Sequence, residues 1–164
     1  MIAIILISSI TLAVWLVALY IHNGRTLPVS IPCNPFDLPT GWRICWCAVA
    51  WVMTFLLVPV GMHHVADHLR FLVLLAAACM VFAGALPIHE DKQGVGMHIY
   101  TVACTGVLFL TQMLALLQQP LALSAWVPFI GYGVWSIHNA KEWPTWRLWL
   151  GLTAYVTTIF SIFV

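Results

Sequence analysis

Six apolar runs dominate this chain: residues 2–21, 44–62, 71–86, 96–117, 121–137 and 146–164. A hydrocarbon core about 30 Å thick takes roughly 20 helical residues to cross, and a backbone group left unpaired in lipid costs several kcal/mol. The runs therefore predict an all-α fold, a polytopic transmembrane helical bundle of about six spans. Composition agrees: of 164 residues, 63% are hydrophobic and 7% charged, where a soluble domain carries about 25% charged residues. Little chain remains for a soluble domain, so 1–164 reads as one transmembrane domain, with any chemistry at loops or between helices.

The fifth run contains Pro128, Gly131 and Gly133. These residues kink or break helices, although membrane helices tolerate them, so five spans plus a re-entrant segment is the alternative. The connections are short except 22–43, where Pro28, Pro32, Pro35, Pro39 and Gly41 favour a turn-rich loop. Trp42, Trp46, Trp126, Trp143 and Trp146 fall near span ends, where amphipathic rings sit at lipid headgroups. The N-terminal run has no basic segment before it and no A-x-A site, and it reads as the first span rather than a removed signal. Cys33, Cys45, Cys47, Cys79 and Cys104 include no CxxC pair and read as small packing residues.

The first, third and fifth loops carry Arg25, Arg43, Lys92, Lys141 and Arg147, whereas the opposite side has Arg70. The excess of positive charge makes a cell-membrane protein with cytoplasmic odd-numbered loops and termini outside. Net charge is +1 with neutral histidine, which gives no basic field to hold nucleic acid.

Most acids and histidines share that basic side. His22 ends the first span, Asp37 lies in the first loop, His89, Glu90, Asp91 and His98 flank the third, and His138 and Glu142 belong to the fifth. A zinc site needs three or four ligands converging at about 2.0–2.3 Å. His89, His98 and His138 are candidate ligands, with Glu90 or Asp91 as candidate catalytic base; the plainer reading is a hydrated membrane surface. On the other side, His64 and His68 stand four apart, suited to one helix face or to a polar turn. Within the fourth span, His98, Thr101, Thr105 and Gln112 recur at helical spacing, and such a stripe is expected to face protein. Thr153, Thr157 and Ser161 form a similar seam in the last span, and Ser8 with Thr11 a weaker one in the first. The span centres carry no acid or base, so a proton relay or voltage sensor is unsupported.

Pro28-Val29-Ser30-Ile31-Pro32 after the first span, then Ala85-Leu86-Pro87 and His98 opening the fourth, resemble the DRAM-like family of six-span membrane proteins. The resemblance implies a six-helix bundle associated with lipid homeostasis or membrane remodelling, with Ser30 and His98 as matching positions. It also implies a cytoplasmic N-terminus, opposite to the charge bias.

Three functions fit the sequence. The first is a bundle without a catalytic motif that binds membrane lipids or a partner, including further copies of itself. The second is a zinc-dependent membrane-embedded hydrolase built on the histidine and acid cluster. The third is an oligomeric channel lined by the fourth-span stripe.

Overall fold

The computed structural model describes residues 2–31, 35–89, 95–139 and 142–163, and these contain helices and turns with no strand. The helices are α1 (Ile2–His22), α2 (Thr40–His64), α3 (Arg70–His89), α4 (Val95–Gln118), α5 (Trp126–His138) and α6 (Trp146–Phe163). Short 3-10 segments occupy Pro35–Asp37, Asp67–Leu69 and Pro120–Ala125. Five helical stretches are long and apolar enough to cross a membrane: α1, α2, α3 with its 3-10 turn, α4, and α5 counted with the 3-10 segment before it. The sixth helix falls outside that set. It carries Arg147 in its first turn and Thr153, Thr157, Thr158 and Ser161 along its length, and it buries Leu148, Ala154, Thr157, Ser161 and Ile162 against the rest of the bundle.

Lipid supplies little hydrophobic drive to bring helices together, so close packing decides the arrangement. The α2/α3 and α3/α4 pairs are the most extensive, with α6 laid against α4 and α1 against α2. Small residues set the spacing. A Cβ on Gly84 of α3 would sit 2.9 Å from the Ala50 Cβ of α2, and one on Gly106 of α4 would sit 2.9 Å from the Cys79 Sγ of α3. At one end Val60, Leu69, Leu72, Val73, Leu114 and Ile162 join four helices; at the other, Trp15, Leu19, Leu38, Trp46 and Ala50 join α1, α2 and the first loop. Trp46 is therefore buried, donating its ring N–H to the Ala83 carbonyl at 3.1 Å, rather than placed at a headgroup. In α1, Ser8, Leu12, Trp15 and Leu19 make one buried stripe, and the Tyr155 hydroxyl ties both Ser8 (2.9 Å) and Ser9 (3.1 Å) to α6.

The proline-rich segment does not hang free. Gly24, at φ +65°, ends α1, with its own amide and that of Arg25 reaching back to Ile21 and Tyr20. The chain then folds over the bundle end, burying Pro28, Pro35, Phe36 and Leu38. The Arg43 guanidinium donates to the carbonyls of Leu38 and Phe36 at 2.8 Å each and of Pro87 at 3.3 Å. Trp15 donates to the Ile31 carbonyl at 2.7 Å, and the Leu148 amide of α6 donates to the Val29 carbonyl at 3.1 Å. Pro32 and Cys33 lie outside the described residues.

Candidate functional site

The proline and glycines of the fifth run do not break its helix, which is continuous over Trp126–His138. Pro128 sits in the first turn of α5, where its missing N–H would have had no partner within the helix. Gly131 and Gly133 continue the helix. The first half of the run instead tightens into the 3-10 segment Pro120–Ala125. Trp126 opens α5 with its ring set edge-on to Phe129, 5.4 Å between centroids.

Phe129, Gly133, Ser136 and Ile137 stand at helical spacing on one side of α5. Beyond the helix, residues 142–146 pass back along that side. The Trp143 ring lies 5.1 Å from Phe129 and 4.7 Å from Tyr132. Between the two segments runs an open groove of about 540 Å³, lined by those four α5 residues and by Glu142, Trp143, Pro144 and Trp146. Its surface is aromatic and apolar, with the Glu142 carboxylate as the charged member of the lining. The Arg147 guanidinium carbon stands 5.3 Å above the ring centroid of Trp146, one of the lining residues. Glu142 and Arg147 are both exposed, so neither charge bears a heavy desolvation penalty.

Gln112 is the polar junction of this region. Its Oε1 accepts the Trp126 ring N–H at 2.9 Å and its Nε2 donates to the Ala154 carbonyl at 3.3 Å, joining α4 to α5 and α6. The other members of the fourth-span stripe, candidates for lipid or partner contact, do not pack against helices of the same chain. His98, Thr101 and Thr105 are exposed, because α4 uses the opposite side, Gly96, Tyr100, Ala103 and Leu114, to pack. Thr101 satisfies its hydroxyl within its own helix, on the Met97 carbonyl at 2.9 Å. In α6 the expected seam is packed, with Thr157 and Ser161 buried.

Among the described residues, the remaining sequence candidates do not line the groove. His89 at the end of α3 and His98 in the first turn of α4 are exposed, as is His138 at the end of α5. Among the described residues, no three histidine, cysteine or acidic side chains converge as metal ligands. Glu90, Asp91, Lys92 and Lys141 lie outside the described residues. Ser30 is partly buried in the first loop. His64 ends α2 whereas His68 lies in the following 3-10 turn, so the two share no helix face and the segment is a turn. Asp67 there pairs with Arg70 at 2.8 Å.

Sequence reasoning noted Trp126, Trp143 and Trp146 only as interfacial residues and Glu142 only as part of a polar side. The available signal was the density of aromatic residues across 126–146, split by the turn that folds one half onto the other. No known protein family, curated protein or solved structure matches this chain.

Proposed function

We propose that this chain is a multi-pass membrane protein that binds a lipid in the groove between α5 and residues 142–146. The observation that carries this reading is the join between groove and bare helix. Ile137 lines the groove and is 83% exposed, and Val127, Ile130 and Val134 of the same helix are also exposed. An acyl chain can lie along that surface while the headgroup enters the groove, with no unpaired polar group left in hydrocarbon. The resemblance to DRAM-like proteins, which implies lipid homeostasis, supports the same class of ligand.

Native mass spectrometry of the detergent-purified protein tests this. The wild-type chain is expected to retain one phospholipid through exchange into a delipidating detergent. Gly133→Phe is expected to lose it: a Cβ at Gly133 meets the Trp143 ring at 3.5 Å, an ordinary contact, and the phenyl ring beyond it occupies the groove. A wild-type protein that retains no lipid overturns the reading.

A further inference from the structure

The geometry points to a specific occupant for this groove: a zwitterionic phospholipid whose headgroup carries a primary ammonium group, phosphatidylethanolamine being its simplest form. The inference rests on the lipid-binding reading and adds the headgroup chemistry. Two opposite charges border one aromatic surface. Glu142 is the anionic member of the lining. Arg147 is the neighbouring cation, held 5.3 Å over the Trp146 ring that itself lines the groove.

A primary ammonium donates hydrogen bonds to a carboxylate and is drawn to aromatic faces within about 6 Å. Phe129, Trp143 and Trp146 offer such faces beside Glu142. The headgroup phosphate, joined to the amine through two carbons, meets the Arg147 guanidinium, whose planar donor fork suits phosphate oxygens. Arg147 stacks on Trp146, so a ring that lines the groove also seats the cation offered to the phosphate. An anionic lipid satisfies Arg147 but places its polar head against the Glu142 carboxylate without a donor of positive charge. Complementarity of both charges therefore separates the zwitterion from anionic lipids. The apolar continuation along Ile130, Val134 and Ile137 selects an intact lipid over its free headgroup.

The test is competitive lipid exchange on the full-length protein in detergent, read by native mass spectrometry. The probes are phosphatidylethanolamine and phosphatidylglycerol of identical chains, and glycerophosphoethanolamine. Wild-type protein is expected to prefer phosphatidylethanolamine about tenfold, and Glu142→Gln to abolish that preference while still retaining lipid. Arg147→Gln is expected to weaken retention of both lipids. Both positions are exposed, so the variants fold. Equal retention of the two lipids by wild-type protein overturns this inference and leaves the lipid-binding reading standing; retention of neither overturns both. An unchanged preference in Glu142→Gln, or displacement of the lipid by glycerophosphoethanolamine at equal concentration, also overturns it.

Discussion

Replacing Gln112 with leucine tests whether a single amide joins three helices. The substitution keeps the helix-forming tendency of the side chain and deletes two interhelical contacts: the Trp126 N–H to Oε1 bond at 2.9 Å and the Nε2 to Ala154 carbonyl bond at 3.3 Å. Interhelical hydrogen bonds in membrane proteins average about 0.6 kcal/mol and reach about 1.7. The first contact belongs near the upper end, because its loss strands an indole N–H, and the second near the mean, because it is long. Gln112→Leu should therefore destabilise the protein by about 1.5–2.5 kcal/mol, at least a tenfold change in the unfolding constant at about 1.4 kcal/mol per factor of ten. Trp126→Phe removes only the first bond and should cost about 1 kcal/mol. The double variant should fall close to Gln112→Leu, leaving a coupling energy near 1 kcal/mol. Reversible unfolding in mixed dodecyl sulfate micelles, followed by far-ultraviolet circular dichroism, measures all three. Thr101→Val is the control, since Thr101 is exposed and bonds within its own helix; its effect should stay below about 0.5 kcal/mol. Strictly additive losses, or a Gln112→Leu protein as stable as wild type, would refute the reasoning.

Two further outcomes follow from packing and from the first loop. Gly84→Ile forces a branched side chain into a 2.9 Å approach to Ala50 and should cost about 1–3 kcal/mol, whereas Gly131→Ala, with nothing within 4 Å of the new carbon, should be neutral or gain up to about 1 kcal/mol; the same unfolding assay ranks them, and the reverse order would exclude a tight α2/α3 crossing. Arg43→Lys loses the forked donor set that holds the Leu38 and Phe36 carbonyls, and charged hydrogen bonds contribute about 1.5–3 kcal/mol each, so amide exchange at Leu38 should accelerate more than tenfold by hydrogen–deuterium mass spectrometry, with α3 unchanged.

The helices were legible because membrane crossing demands long apolar runs, and those runs end where polar and turn residues cluster. The faces were not. In a soluble helix a polar stripe marks the solvent side, and in lipid it is expected to mark the protein side; in α4 neither rule holds along the whole stripe. Gln112 meets a neighbour because the 3-10 segment and α6 reach that end of α4, while His98, Thr101 and Thr105 stay exposed. Apolar content gave little direction, since Ile10 and Leu12 of α1 are equally hydrophobic yet only Leu12 is buried. Small residues carried more of the information: Gly84, Gly106 and Ser8 each mark a close approach. The groove was invisible because it depends on the return of residues 142–146 along α5, a tertiary event that no local spacing encodes.

The bond from the Leu148 amide to the Val29 carbonyl, with Ile31 pressed against Gly151, has a consequence for how the protein is made. The loop that leaves the first span emerges early in synthesis, yet part of its seat is supplied by the last helix. Until α6 docks, Val29 and Ile31 lack the part of their seat that Leu148 and Gly151 supply, and the segment is held by the Trp15 bond to the Ile31 carbonyl. Docking of α6 thus acts as a clasp that completes the fold of the first loop. A nascent chain arrested before residue 146 should expose its proline-rich segment to protease while α2, α3 and α4 are already paired.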